Sequence, residues 1–163
     1  MTDFDALYRE YAGNVYRFAL SLSGNRAVAE DITSETFVRV WTARDRLDLT
    51  TVIGYLLTIA RRLYLQGVSI DRRGGPLEHD LTDGGPSQAA IAQGRAELDA
   101  VLADLQTLAE PDRAAVLMRA EDGLAYEEIG CALGITPGAA KVKVHRARQK
   151  LLTLRMQRER GPL

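Results

Sequence analysis

Residues 113–152 read RAAVLMRAEDGLAYEEIGCALGITPGAAKVKVHRARQKLL, and they contain the strongest structural signals in the chain. Gly134 follows the helical segment Tyr126–Leu133 and suits the positive φ that ends a helix. Thr136 is a favourable N-cap and Pro137 a favourable first helical residue, so a new helix begins at once. Two helices joined by so short a turn predict a helix-turn-helix.

The helix after this turn has an apolar side and a basic side. Apolar residues recur at spacings of four, three and four and therefore face the preceding helices: they are Ala140, Val144, Ala147 and Leu151. Five permanent cations occupy the other sides, and such a face suits the phosphates and the major groove of DNA. The alternative is an ordinary solvated helix face. Gly130 in mid-helix argues against it, because a close approach of two helices is the natural reason to tolerate glycine there.

Length and composition limit the class of protein and the kinds of site that this chain can contain. The chain has 163 residues, of which 46% are hydrophobic, as in an ordinary soluble protein of one domain or two small ones. No apolar run is long enough to span a membrane, and no signal segment precedes the first helix, so we expect a cytoplasmic protein. A single cysteine and two isolated histidines predict no disulfide, no metal site and no cofactor.

Charge is segregated along the chain although the formal net charge is only -1. Residues 76–128 carry 12 acidic and 3 basic side chains, whereas residues 129–163 carry 8 basic and 1 acidic. A second basic excess lies in residues 51–75. Two basic patches that flank an acidic stretch predict two contacts with one polyanion.

Helical periodicity divides the chain into two helical domains. Three amphipathic helices, at about residues 4–22, 26–44 and 52–66, are long enough to close one small core, and no alternating apolar pattern predicts a sheet. Glycine, proline and polar residues then predict a flexible linker. We therefore predict an all-α protein with a three-helix bundle at 1–66, a linker at 67–87 and a helix-turn-helix domain at 88–163, whose polar tail after Leu154 frays.

Three of these helices resemble motifs of the extracytoplasmic-function (ECF, group 4) sigma factors of bacterial RNA polymerase. AEDITSETFVRVW (residues 29–41) is similar to the family's core-polymerase-binding helix. YLLTIARRLYL (residues 55–65) resembles the helix that meets the minus-ten promoter element. LAYEEIGCALGITPGAAKVKVHRARQKL (residues 124–151) resembles the helix-turn-helix that reads the minus-thirty-five element. The motifs occur in the family's order and cover nearly the whole chain.

The resemblance implies a role for each surface. The residues that would contact the clamp helices of the polymerase β′ subunit are Glu30, Asp31, Glu35, Arg39 and Trp41, with Phe37 beside them. Core packing is the alternative role for Phe37 and Trp41, in which case the charged residues alone make the contact. The residues that would bind the minus-ten element are Tyr55, Arg61, Arg62, Tyr64, Arg72 and Arg73. The loop at residues 45–54 would capture a flipped base. The residues that would bind the minus-thirty-five element are Thr136, Gly138, Lys141, Lys143, His145, Arg146 and Arg148.

Several residues depart from the family pattern. Arg62 and Gln66 stand where the family has Asn and Asp, and Ser34 stands where it has Gln. Val142 and Lys143 replace a Ser-Arg pair, so a bidentate contact of arginine with guanine is lost. These changes indicate an altered promoter preference, or a sigma-like adaptor or regulator with weakened melting.

The resemblance therefore implies a transcription initiation factor rather than an enzyme. It would bind core RNA polymerase at the β′ clamp helices and the β flap, recognise two promoter elements and assist melting. The resemblance to this family also implies an anti-sigma factor as a further partner. The acidic stretch of residues 76–128 is a candidate contact surface for it. Neither membrane insertion nor a small-molecule substrate is expected. The alternative is a helix-turn-helix regulator or adaptor that does not melt promoters.

Overall fold

The chain folds into seven α-helices in the part that the computed structural model describes, residues 4–42, 51–67 and 88–161. In chain order they are α1 (Phe4–Ser23), α2 (Arg26–Thr42), α3 (Val52–Leu65), α4 (Gln88–Gln106), α5 (Glu110–Ala120), α6 (Tyr126–Leu133) and α7 (Pro137–Arg160). No strand occurs within these ranges, and the all-α prediction is confirmed. The predicted linker falls, apart from Gly67, outside the described residues, as do most of the loop at residues 45–54 and both Arg72 and Arg73.

Helices α1 to α3 form the N-terminal bundle. Each presents an apolar stripe at three- and four-residue spacing, and the stripes meet in one core. Its largest fully buried side chains are Phe18, Leu22, Ile32, Leu56, Leu57 and Leu63. The turn between α1 and α2 uses Gly24 at φ 68°, and the Asn25 side chain accepts a hydrogen bond from the amide of Val28 at 3.0 Å. This short capped turn makes α1 and α2 a close helical pair.

Helices α4 to α7 form the C-terminal unit. Met118 of α5, Ile129 of α6 and Val144 of α7 are fully buried against one another's helices. Helix α7 continues to Arg160, so the prediction that the chain frays after Leu154 is wrong. Ion pairs hold this end: Arg155 pairs with Glu159 one turn later, and Arg158 reaches Asp104 on α4.

The two units pack directly on each other. Helix α1 lies against α4 and α5, and α3 lies against α6, so the buried residues of both units form one continuous cluster. The side-chain amide of Gln106, at the end of α4, donates to the carbonyl oxygens of Ser21 and Leu22 at 3.1 and 3.3 Å. The sequence predicted the two units but not this mutual packing.

Candidate nucleic-acid interface

The turn before α7 sets the direction of that helix. Gly134 adopts φ 71°, and the hydroxyl oxygen of Thr136 accepts a hydrogen bond from the amide of Ala139 at 3.1 Å, as expected for a glycine stop and a threonine N-cap. A Cβ at Gly130 would lie 2.6 Å from the carbonyl oxygen of Ile135. The close approach expected at Gly130 is thus made by the backbone of the turn rather than by the facing helix.

The apolar stripe of α7 is buried and its basic sides are exposed. Ala140, Val144 and Ala147 are at most 1% exposed and pack on α5 and α6. Within the described ranges, no ion-pair partner faces the exposed side chains of Lys141, His145 and Arg148. Thr136 and Gly138, at the start of the helix, are also exposed. These five positions form an open surface at the N-terminal half of α7.

Two further cations of α7 are held by a carboxylate of α5. Lys143 lies 3.4 Å from Asp112, and Arg146 donates two hydrogen bonds to the same carboxylate at 3.2 Å. Burial alone would raise the pKa of Asp112, but the hydrogen bonds and charges of Arg146 and Lys143 together lower it below its ordinary value. The same contact raises the pKa of Arg146. Lys143 and Arg146 therefore share one carboxylate partner, and the Arg146 side chain remains 61% exposed in this contact.

Val142 is the apolar exception on this surface. It lies about 200° around the helix from the buried Ala140 and is 59% exposed. Sequence reasoning noted Val142 only as a departure from the family pattern, and a single exposed apolar residue is not by itself a signal of a contact surface. Apolar side chains in this position can touch the methyl group of thymine.

Part of the predicted DNA-binding face of α3 is covered by side chains of α5. Arg61 donates from Nε and Nη2 to the two carboxylate oxygens of Glu110 at 2.8 and 2.7 Å. Tyr64 is half-buried, and its hydroxyl accepts a hydrogen bond from Arg113 of α5 at 3.2 Å. Tyr55 is also half-buried, so Arg62 is the fully exposed member of the predicted minus-ten set within the described residues.

The N-terminus of α3 meets a second carboxylate of the C-terminal unit. The Thr51 hydroxyl caps α3 by accepting from the amide of Gly54 at 3.1 Å, and it donates to Glu128 of α6 at 2.5 Å. Sequence reasoning singled out neither Glu110 nor Glu128 as a contact residue, and it included Thr51 only within the loop at residues 45–54 that would capture a flipped base. The available signal was the complementary charge of residues 51–75 and 76–128, which indicates attraction without identifying partners.

The predicted polymerase-binding residues lie together on α2. Glu30, Asp31 and Glu35 are partly exposed and Arg39 is exposed; Glu35 and Arg39 form an i,i+4 ion pair at 3.4 Å. Trp41 is 47% exposed and packs edge-on against Phe4, with ring centroids 4.9 Å apart. The end of α2 thus combines a charged row with a half-exposed aromatic side chain.

Two further observations concern the described part of the chain. It contains no cluster of three or more side chains able to hold a metal ion. Within the same ranges, none of the helices has both the length and the apolar character needed to cross a membrane.

Comparison with known proteins gives matches in both units. The family model for Sigma-70 region 2 matches residues 7–73, and that for Sigma-70, region 4 matches residues 98–151. The chain is 37% identical over 158 residues to the ECF RNA polymerase sigma factor SigE of Mycolicibacterium smegmatis; the match covers 93% of this chain but only 61% of SigE. It is 33% identical over 153 residues to the RNA polymerase sigma factor CarQ of Myxococcus xanthus, covering 93% of this chain and 88% of CarQ.

Solved structures share the fold. The sigma factor RpoE of Bartonella quintana, crystallised in complex with the anti-sigma factor NepR, superposes with a TM-score of 0.70 at 24% identity. The match covers 94% of this chain and 97% of RpoE. The arrangement of helices is therefore one already seen in a solved protein.

Proposed function

The chain belongs to the ECF RNA polymerase sigma factors, and on that premise we propose that its two units contact polymerase and promoter through α2, α3 and α7. It is a DNA-binding transcription initiation factor. We assign core polymerase binding to α2, minus-ten binding to α3 and minus-thirty-five binding to α7. No chemistry of its own is required, and the proposed site of action is the cytoplasm.

The observation that carries the proposal is the helix-turn-helix with its exposed basic row. A helix entering the major groove needs a rigid start, cations for phosphates and side chains that reach base edges. The glycine stop and threonine cap supply the rigid start of α7. Lys141 and Arg148 supply exposed cations, and Lys143 and Arg146 supply cations paired with Asp112.

We assign the core-binding role to α2 because its charged row is accessible. Glu30, Asp31, Glu35 and Arg39 offer charged groups, and Trp41 offers a half-exposed aromatic side chain of the kind enriched at protein interfaces. The proposed polymerase partners are the β′ clamp helices for α2 and the β flap for the C-terminal unit. An anti-sigma factor is a further proposed partner, since RpoE is held by one in its complex.

In vitro transcription tests the proposal directly. Purified chain, bacterial core polymerase and sheared genomic DNA from the source organism are combined, and transcript 5′ ends are mapped. Specific starts that share two upstream elements are expected. Core binding without any specific start would instead favour the adaptor, with the melting defect placed at Arg62 and Gln66.

Binding to core polymerase in the absence of DNA separates a sigma factor from a conventional operator-binding regulator. We expect the chain to bind core, and we expect Glu35→Arg to weaken that binding at least tenfold because it reverses a charge at the centre of the α2 surface. Glu97→Arg, the same reversal at an exposed position of α4, is the matched control and should bind as the wild type does. Equal affinity for the two variants would remove α2 from the interface.

A further inference from the structure

Val142 lies on the outermost line of α7. At about 100° per residue, its position is roughly 180° around the helix from the middle of the buried stripe formed by Ala140, Val144 and Ala147. Among residues 137–143, the first two turns of α7, Gly138 shares this line, and glycine has no side chain. A ligand that approaches the exposed side of α7 near its N-terminus therefore meets Val142 first.

Neither burial nor helix stability accounts for valine at this position. The side chain is 59% exposed, more than any other large apolar side chain in the described part of the chain. Valine is also a poorer helix former than alanine or lysine. Exposure of one apolar residue identifies no ligand, but the charges on either side of Val142 do.

Cations flank the outermost line on both sides. Lys141 and Arg148 lie about 100–120° around the helix from Val142 in one direction, and Lys143 and Lys150 lie about 80–100° from it in the other. The major groove is bordered on its two sides by the phosphates of the two strands, and its floor is formed by base edges. A helix that turns one cationic side to each strand therefore directs Val142 at the floor of the groove.

The polar residues nearest to this line lie one turn further along α7. Arg146 is about 40° from Val142 around the helix, but its Nε and Nη2 both donate to Asp112 of α5 at 3.2 Å. His145 is about 60° away, on the side of Lys141. At the level of Val142 itself, the side chain that faces the groove floor is apolar and offers no hydrogen-bond donor or acceptor.

We propose that Val142 is a specificity-determining residue, which contacts the 5-methyl group of one thymine in the minus-thirty-five element. The proposal rests on the proposed function, since it names the chemistry that α7 reads in the major groove. Among the four bases, thymine is the one that exposes an apolar group there. A base edge with only donors and acceptors would lose its water to Val142 without gaining a hydrogen bond.

A side chain as short as valine reaches the base edges only if the helix backbone comes close to the DNA. Gly138 permits this approach, because it leaves the outermost line bare in the turn before Val142. A Cβ at Gly138 would have no packed neighbour closer than Thr136 Oγ1, at 4.0 Å, so the packing of the chain itself does not require glycine there. Close approach of the backbone to a ligand is one of the ordinary uses of glycine. Valine has one preferred rotamer in a helix, so the contact costs little side-chain entropy.

The test combines one change in the protein with one change in the DNA. The full chain first selects its preferred sequence from a library of duplexes with randomised base pairs, a step that needs no polymerase. Each thymine of the selected duplex is then replaced singly by deoxyuridine, which lacks only the methyl group, and affinity is measured by fluorescence anisotropy. We expect one replacement to weaken binding of the wild-type chain roughly three- to fivefold, the effect of about one buried methyl group.

Val142→Ala removes both methyl groups of the side chain and places a better helix former at an exposed position, so the variant should fold. For this variant, the same deoxyuridine replacement should change affinity by less than about 1.5-fold, because the two changes remove one contact. Leu152→Ala truncates another exposed apolar residue of α7 and is the matched control, which should keep the wild-type difference. Any effect of deoxyuridine on the stiffness of the duplex is common to the three chains and cancels in the comparison.

A cytosine carrying the same 5-methyl group separates the methyl from the rest of thymine. At the sensitive position, the thymine–adenine pair is replaced by a cytosine–guanine pair, with and without a methyl group on cytosine C5. The wild-type chain should bind the methylated duplex roughly threefold more tightly than the unmethylated one, and Val142→Ala should bind the two alike. Equal binding of the two duplexes by the wild type would contradict the proposed contact.

Two results with deoxyuridine would overturn the proposal. One is a wild-type affinity that no thymine replacement reduces, and the other is a reduction that persists unchanged in Val142→Ala. In either case, a chain that still selects a duplex sequence and directs specific transcription keeps the proposed function, and only the role of Val142 is wrong. If the chain selects no sequence from the library, the assignment of minus-thirty-five binding to α7 fails, and the role of Val142 fails with it.

Discussion

Gly130 has no side chain, and the turn between α6 and α7 packs closely on α6 at this position. A Cβ there would lie 2.6 Å from the carbonyl oxygen of Ile135 and 3.3 Å from the nitrogen of Pro137. Both are backbone atoms of the turn, which cannot move aside as the end of a flexible side chain does. The amide of Ile135 also donates to the Gly130 carbonyl at 2.9 Å. Glycine therefore lets the turn lie directly on α6.

Gly130→Ala should lower the free energy of unfolding by about 1–3 kcal/mol, the usual cost of overpacking, although alanine is the better helix former. Gly94→Ala is the matched control, since a Cβ at Gly94 in α4 meets nothing within 4 Å. That variant should raise the free energy of unfolding by about 0.5–1 kcal/mol. Urea denaturation measures both. If the two variants shifted in the same direction, the close approach at Gly130 would not control stability.

At the scale of the helix, α7 combines cations of two kinds. Asp112 holds Lys143 and Arg146, whereas Lys141 and Arg148 project without a partner among the described residues. The second kind loses no ion pair when it meets a phosphate. Beyond these residues α7 continues for a further three turns, and its distal cations belong to ion pairs with Glu159 and Asp104.

Arg148→Ala should reduce the slope of log K against log salt by about 0.9 for binding to a duplex carrying the minus-thirty-five element. The reason is the loss of one phosphate contact and of the counterion that it releases. Arg155→Ala removes an equal charge from the distal part of α7 and should leave the slope within error of the wild type. Titrations at several salt concentrations give both slopes. A slope unaffected by Arg148→Ala would mean that this side chain is merely solvated.

Most of the helices were predictable from the sequence because they bury a stripe at a regular spacing, although α4 buries only Leu105. Local sequence alone was enough to predict the buried stripe of Ala140, Val144 and Ala147 and the end of α6 at Gly134. The end of α7 was not predictable in this way. Its last turns are polar and depend on Asp104, which lies more than fifty residues earlier in the chain.

At the scale of the whole molecule, the interface between the two units is rich in charge. Asp122 accepts a hydrogen bond from Asn14, and burial raises the pKa of Asp122 while Asn14 and Arg17 oppose that rise. Burial likewise raises the pKa of the neighbouring Glu121. The folded chain therefore holds two carboxylates whose charge is disfavoured where α1 meets the end of α5.

Asp122→Asn should stabilise the folded chain at pH 7, because it removes a disfavoured charge and keeps an oxygen for Asn14. A raised carboxyl pKa means that the folded state binds protons more tightly than the unfolded state, so the wild type gains stability as pH falls through that raised pKa. The advantage of Asp122→Asn should accordingly disappear below the ordinary carboxyl pKa of 3.8.

Urea denaturation at pH 7 and at pH 3 measures this difference. Asp99→Asn, a change of equal charge at an exposed site of α4, should alter stability little at either pH. A loss of stability in Asp122→Asn at pH 7 would show that attraction to Arg17 outweighs the cost of burial.

How the two units pack could not be predicted from the sequence. The segregated charges indicated that residues 51–75 and 76–128 attract each other, but ten or more carboxylates were possible partners for Arg61. The selection of Glu110 depends on where α5 starts relative to α3, which is a property of three-dimensional packing rather than of periodicity. The predicted minus-ten residues Arg61 and Tyr64 were therefore placed on an open face, whereas the structure covers them.

The covered face of α3 has a consequence for how the factor is distributed inside a cell. A chromosome presents roughly a million or more nonspecific sites, and a factor with every cation available would spend most of its time on them. With Arg61 already neutralised by Glu110, the chain has one cation fewer to offer these sites, whereas Arg62, Lys141 and Arg148 stay exposed. We therefore expect DNA of mixed sequence to attract the chain mainly through α7 and much less through α3.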